Sequence, residues 1–243
     1  PHPILGDASV RRALAHAIDR DKYLNNGRSG IGRVADAPLS SEMAEFYVGS
    51  TGIPTFNRSE AERLLTEAGW VRSSPDEVRS KGGQNFVIDM VYPGPAFAGR
   101  VEHIRKDLQD VGVTLNDRVS TGIGDEVFRD RQFDTTIINY CQGLDPHIGT
   151  RRMYHSDQVR TAPFTNAAGY KHPDVDAAFD EAARTNNQDV RRELYKKFQD
   201  QVTKDLPYFW IIETPNVRAF AARCGGFRPY TGIFADTAFC RGG

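Results

Sequence analysis

Apolar residues recur at helical spacing near the start of the chain. Val10, Leu14, Ala17 and Ile18 share one face and Asp7 stands where an N-cap is needed, so a helix is expected from Asp7 to about Leu24. The periodicity then lapses. Asn25 to Phe56 is broken by Gly, Pro38, Pro54 and several Ser, and reads as a long excursion over a surface, of the kind that carries function in compact domains. At Asn57-Arg58-Ser59-Glu60 an N-cap followed three residues later by Glu opens a second helix. Ala61, Leu64, Leu65 and Ala68 line one of its faces and Gly69 ends it.

Phe86 to Tyr92 has strand composition and is stopped by Pro93-Gly94-Pro95. Val101, Ile104, Leu108 and Val111 then mark a helix ending at Gly112, and Val113 to Val119 reads as a second strand. A parallel, right-handed unit of strand, helix and strand is therefore expected. A short helix near Asp125 to Arg131 and a third strand from Phe133 to Tyr140 follow. Helices at Asp174 to Arg184 and Asp189 to Lys204, the second striped by Leu194, Phe198 and Val202, precede strands at Tyr208 to Glu213 and Val217 to Ala222. This alternation argues an α/β fold without internal repeats.

Composition narrows the function classes. With 243 residues the chain can bury a sizeable core, and 31 Lys and Arg against 32 Asp and Glu leave a net charge of −1, no overall field for nucleic acid or anionic membrane. Apolar runs such as Tyr208 to Ile212 fall far short of the roughly 20 residues that span a bilayer. The sequence begins Pro-His-Pro with neither Met nor an apolar leader, so any signal peptide is expected to be absent or already removed. Cys141, Cys224 and Cys240 lack metal-binding spacing, and no structural metal is expected. Cys224 and Cys240 either form a disulfide in an oxidising compartment, worth about 3 kcal/mol for a loop of about 15 residues, or remain two thiols.

Candidate chemistry is sparse. Gly30-Ile31-Gly32-Arg33-Val34-Ala35 matches G-x-G-x-x-A but follows a helix and runs into Pro38, so it reads as a flexible turn rather than a dinucleotide cradle. The six His are scattered and read as surface or helix-face residues. The densest polar cluster is Tyr140-Cys141-Gln142-Gly143-Leu144-Asp145-Pro146-His147, at the carboxyl end of the third strand, where open α/β sheets gather ligands. An enzymatic reading makes Cys141 a thiolate nucleophile with His147 as base, but a Cys closing an apolar strand reads better as a small buried hydrophobe. Binding suits the cluster better. Tyr140 offers an aromatic face, and Gln142, Asp145 and His147 offer directional hydrogen bonds, with Asp145-Pro146 also initiating a turn. Tyr92 and Phe97, flanking a Pro- and Gly-rich turn at another strand end, are candidate pocket walls, whereas Tyr208-Phe209-Trp210 reads as core.

Several segments together resemble one family. Val10-Arg11-Arg12-Ala13-Leu14-Ala15-His16-Ala17-Ile18-Asp19-Arg20 is similar to the V-R-x-A-L-x-x-A-I-D-R signature of family 5, the peptide, nickel and opine class, of the extracytoplasmic solute-binding proteins that serve ABC importers. Ala61 to Trp70, Asp145-Pro146, Gly169-Tyr170 followed by Pro173-Asp174-Val175-Asp176, and Arg192-Glu193-Leu194-Tyr195 ahead of Leu206-Pro207 fit the same family in order and spacing. The resemblance covers only the carboxy-terminal part of the family. It implies a periplasmic-binding-protein-like fold (type II, cluster C), here one α/β lobe with a mixed sheet flanked by helices. Residues 1–216 would form this ligand-binding lobe and 217–243 would return towards a missing N-terminal lobe.

By the same resemblance the protein is expected to be a non-enzymatic, monomeric binding component, periplasmic or otherwise extracytoplasmic and membrane-associated. It would hold a peptide or other small polar solute between two lobes and dock on a membrane permease, with no cofactor, metal or nucleic acid. Tyr92, Phe97, Tyr140, Gln142, Asp145 and His147 would face the cleft, and the oxidising compartment would favour the disulfide between Cys224 and Cys240. Peptide-binding members carry an additional carboxylate between the positions of Tyr140 and Asp145, which this chain lacks, so an opine or sugar derivative suits the site as well as a peptide. A sensor or interaction module on the same fold, or an enzyme using Cys141, is the alternative.

Overall fold

The computed structural model describes residues 2–215, 222, 224–225 and 239–240. Asp7 caps α1 (Ala8–Ala17) by accepting from the Ser9 amide at 2.8 Å. The helix expected to reach Leu24 is in fact two. Ile18 is extended (φ −90°, ψ 118°), and Asp19 restarts the chain as N-cap of α2 (Arg20–Arg28), taking the Lys22 amide at 2.9 Å while its own amide donates to Asp107. A second cap inside the apolar run, supported by a distant carboxylate, prevails over simple continuation of the helix. Ser29 and Gly30, with φ of 53° and 71°, turn the chain out of α2 towards β1 (Arg33–Val34), so the G-x-G stretch is a turn.

Asn57 caps α3 (Arg58–Glu67) through the Glu60 amide, as its sequence signature requires. β2 (Ser80–Lys81) and β3 (Gln84–Asn85) form a hairpin across Gly82-Gly83, both at positive φ. β4 (Val87–Tyr92), α4 (Ala98–Asp110) and β5 (Thr114–Val119) build the expected unit: β4 and β5 are parallel in register from Val87 opposite Thr114 to Tyr92 opposite Val119, and α4 packs on β5. A single π-helical turn at Gly124–Arg129 stands where a short helix is expected. β6 (Thr135–Thr136) adds a parallel strand on the other side of β4, giving the order β5-β4-β6.

The third strand is much shorter than Phe133 to Tyr140. Its polar side chains hydrogen-bond to the neighbouring backbone: Asp134 accepts from the Asp89 amide at 2.8 Å, and the hydroxyls of Thr135 and Thr136 donate to the carbonyls of Asp89 and Val91. Beyond it come α5 (Pro146–Gly149), α6 (Arg151–Tyr154), α7 (Pro173–Ala183), α8 (Gln188–Asp205) and β7 (Ile212–Glu213), which pairs antiparallel with β1. β8 (Cys224–Gly225) and β9 (Phe239–Cys240) form a further antiparallel pair. The strand expected at 217–222 lies outside the described residues except for Ala222. Pro1–Glu213 and Thr214–Gly243 are separate compact units.

Within the first unit one apolar cluster joins α1, α3, α4, β4 and β5 around Leu14, Leu65, Phe86, Ile104 and Leu108, and a second joins α7 and α8 around Phe179, Tyr195 and Phe198. The aromatic run is shared between them by alternation: Phe209 and Ile211 pack on the first cluster, Tyr208 and Trp210 on the second. Strand periodicity is present there, yet only Ile212 and Glu213 enter a ladder. The segment 25–56 is not a surface loop throughout. Leu39, Met43 and Phe46, spaced four and three apart, are buried in the second cluster, and Gln199 of α8 donates to the Phe46 carbonyl at 2.9 Å.

A charged knot ties α6 to α7. His155 lies 2.9 Å from Asp157 and 3.3 Å from Asp180, and Arg151 bridges the same two carboxylates. Burial raises the Asp157 carboxyl, but hydrogen bonds from Arg151 and Gln158 and the neighbouring His155 outweigh it and hold its pKa at about 2, below the ordinary 3.8. The folded value lies under the unfolded one, so this carboxylate adds stability above about pH 4 that is lost as the pH falls towards 2. Its side chain is 45% exposed, which keeps the effect below about 1 kcal/mol. Urea titrations of Asp157→Asn are therefore expected to show a lowered midpoint near neutrality that merges with the native one at about pH 2. A gap that persists undiminished in acid contradicts this assignment.

Candidate functional site

Parallel strands β4 and β6 end at Tyr92 and Thr136 on one edge of the sheet, the edge at which α/β sheets meet ligands. From Thr136 the chain runs through Tyr140 and turns at Gly143, φ 72°, into α5. Asp145 fixes this turn at both ends. One carboxylate oxygen accepts from the His147 amide at 2.8 Å as N-cap, and the other pairs with Arg191 of α8 at 2.6 Å. Arg191 lies over the Phe46 ring, 4.8 Å from its centroid. Burial works against its charge, but bonds to Asp145 and Tyr195 prevail and raise its pKa.

Gln142 is equally engaged. Its amide nitrogen donates to the Pro38 carbonyl and its oxygen accepts from the Ser40 amide, both at 2.7 Å, while Glu213 takes the Ser41 amide and hydroxyl at 3.1 and 2.7 Å. These contacts lash residues 38–41 to the strand-end segment. Tyr140 is half-buried, its hydroxyl donating to the Thr165 carbonyl at 2.9 Å and its ring standing edge-on to Phe164 and Tyr208. Burial pushes its phenol well above the ordinary range. His147 is half-exposed, with its Nδ1 buried and without a hydrogen-bond partner in the structure.

Tyr140, Gln142, Asp145 and His147 thus lie along one anchored segment, while Tyr92 and Phe97 belong to the first apolar cluster. Tyr92 is buried, its hydroxyl donating to Asp117 at 3.3 Å; burial and that carboxylate raise its pKa. Phe97, in a 3₁₀ turn, carries the Arg100 guanidinium 4.2 Å above its ring. Cys141 is exposed rather than buried, because the chain has already left the sheet when it reaches this position.

Three features of the segment escape sequence reading. Leu144 and Ile148 are 49% and 79% exposed, and the only available signal was two large apolar residues in an otherwise turn-forming stretch. Arg191 is far off in sequence, with nothing local to reveal it. Gly149 packs so tightly under the Gln142 backbone that a Cβ there would overlap the Gln142 carbonyl. Surface depressions of about 270 and 360 Å³, near Trp70 and near Arg79, include none of the six candidate residues. Among the described residues no cluster of His, Cys, Asp or Glu is placed to hold a metal, and no helix is long and apolar enough to cross a membrane.

The family profile described as "Bacterial extracellular solute-binding proteins, family 5 Middle" matches residues 1–160. The chain belongs to this family. Family 5 proteins are binding proteins rather than enzymes, which sets aside the nucleophilic reading of Cys141. Protein XP55 of Streptomyces lividans is 28% identical over 227 residues, 92% of this chain and 40% of that protein. The nickel-binding periplasmic protein of Escherichia coli K12 is 24% identical over 244 residues, 96% of this chain and 44% of that protein. The oligopeptide-binding protein AppA of Bacillus subtilis, solved with a nonapeptide, superposes with a TM-score of 0.82 at 18% identity, over 98% of this chain and 48% of AppA. That likeness shows the periplasmic-binding-protein-like α/β fold. The chain spans about two fifths of the length of the curated relatives it matches.

The family 5 signature acquires a physical meaning here. Arg11 donates to the carbonyls of Leu206 at 3.1 Å and Leu5 at 2.8 Å, closing the end of α8, where Leu206 is left-handed. Asp19 caps α2, and Arg20 ties three segments together from within the core. These residues hold the fold, and their side-chain hydrogen bonds run within the protein.

Proposed function

We propose that this chain supplies one side of the ligand site of a solute-binding component of an ABC importer, working outside the cytoplasm. The whole protein would be a monomer that closes a second lobe over a peptide or other small polar solute and delivers it to a membrane permease. The observation that carries this reading is the segment 140–149: three long-range anchors, at Pro38, Ser40 and Arg191, hold it, yet it exposes Leu144 and Ile148 and part of His147. A surface fixed before the ligand arrives loses little entropy on binding. Lobe closure then adds contacts from the other side and shifts the population towards the closed form.

Tyr140, Gln142, Asp145 and His147 form the site in this reading, with Gln142 and Asp145 positioning the segment and Tyr140 and His147 meeting the ligand. Tyr92 and Phe97 support the sheet edge beside it. The segment's one carboxylate is already paired with Arg191, which favours ligands that need no free acid here, such as an opine, a sugar derivative or a peptide whose ammonium is met elsewhere. Titration calorimetry of the full-length protein against peptides and polar metabolites, native against Tyr140→Ala, tests the assignment. A ligand bound equally by both removes Tyr140 from the site.

A further inference from the structure

β8 and β9 run antiparallel, with Cys224 directly opposite Cys240 and Gly225 opposite Phe239. Residues so paired share a face of the ribbon, and their Cα atoms stand about 4.5–5.5 Å apart, inside the range of about 4.4–6.8 Å that a disulfide spans. Among the described residues β8 and β9 pair only with each other, and a lone two-stranded ribbon is marginal in water. The remaining cysteine, Cys141, is an exposed free thiol of the other unit.

We propose that Cys224 and Cys240 form a disulfide that staples the carboxy-terminal unit and closes residues 225–239 into a loop. The compartment that would sustain it is the one assigned under the proposed function; the pairing itself rests on register alone. The oxidant is a disulfide, of a small molecule or of an exchange protein. One cysteine thiolate attacks its S–S bond and expels one thiol, and the second thiolate then displaces the other. One S–S bond forms and one breaks, the two cysteines lose two electrons and two protons, and the oxidant leaves as two thiols.

The test takes the full-length protein, reduces it, equilibrates it with oxidised glutathione, blocks thiols with iodoacetamide and maps the peptides bearing the three cysteines. Trypsin leaves Cys224 and Cys240 in one peptide, because Arg228 precedes Pro229, so chymotrypsin, cutting after Tyr230 and Phe234, makes the map. The expected result is label on Cys141 alone before reduction and on all three after it, with the Cys224 and Cys240 peptides joined until reductant separates them. Label on all three before reduction, glutathione held at Cys224 or Cys240, or a link from either to Cys141 overturns the proposal. Cys141→Ser keeps the readout clean and is expected to leave the joined peptides unchanged. A pair that closes in vitro but is open in protein recovered from the cell supports the pairing and overturns the extracytoplasmic placement, so the two failures are distinguishable.

Discussion

Replacing Arg20 by Met is expected to destabilise the protein by about 3–5 kcal/mol, the largest effect of any single substitution considered. Arg20 is only 6% exposed, and carbonyls satisfy its guanidinium: Ala35, Trp210 at 3.0 Å and Pro54 at 3.2 Å, with the Phe209 ring 5.2 Å away. Met keeps most of the packing but leaves the buried carbonyls of Ala35 and Pro54 without this donor, at about 1–3 kcal/mol each, and the half-buried carbonyl of Trp210 at less. Burial already lowers the guanidinium pKa, but the group stays charged because arginine's reference value is so high. Urea titration at neutral pH checks the expectation. Arg20→Lys should recover little, since one ammonium cannot reproduce the fork that reaches three segments. A midpoint within error of the native one for Arg20→Met would show that the three segments hold without this cation.

Gly149→Ala is expected to cost about 3 kcal/mol and to displace the strand-end segment. The new methyl would meet the Gln142 carbonyl and its backbone neighbours, atoms that no rotamer change can move aside. Either α5 or the Tyr140 to Gly143 backbone must shift, and with it the amide bridge from Gln142 to Pro38 and Ser40. Gly99→Ala is the control. In α4 its methyl meets nothing within 4 Å, and it should stabilise by about 0.5–1 kcal/mol through helix propensity. Thermal and urea unfolding of the pair, with amide exchange across 38–41, read both effects. Equal stability of the two variants, with unchanged exchange at 38–41, would contradict the close packing of Gly149.

The parts of this fold legible in sequence are those specified by local chemistry. Asn57 with Glu60 marks the start of α3, Gly112 the end of α4, and the strand, helix and strand from Val87 to Val119 follow from periodicity. What was hidden depends on distant partners. Asp107, across the core, helps Asp19 to divide the first helix, and the third strand, which reads as Phe133 to Tyr140, pairs with β4 only at Thr135 and Thr136, whose hydroxyls also bond to the carbonyls of Asp89 and Val91. Leu39, Met43 and Phe46 look like loop residues until α8 is there to receive them. In the candidate site the Asp145-Pro146 turn was legible, but Arg191 and the bridge from Gln142 to Pro38 were not, because pairing across such separations leaves no trace in a local pattern.

In the proposed function the exposed side of segment 140–149 meets the ligand, and Ile148→Ser probes that contact, because a side chain 79% exposed can be changed without disturbing the core. Calorimetric titration of the full-length protein with a ligand found in the panel should show binding weakened at least about tenfold, or about 1.4 kcal/mol, in Ile148→Ser. Val71→Ser, at the exposed rim of the depression near Arg79, should bind as the native protein does. Unchanged affinity in Ile148→Ser together with a loss in Val71→Ser would place the ligand elsewhere on the lobe and contradict the account.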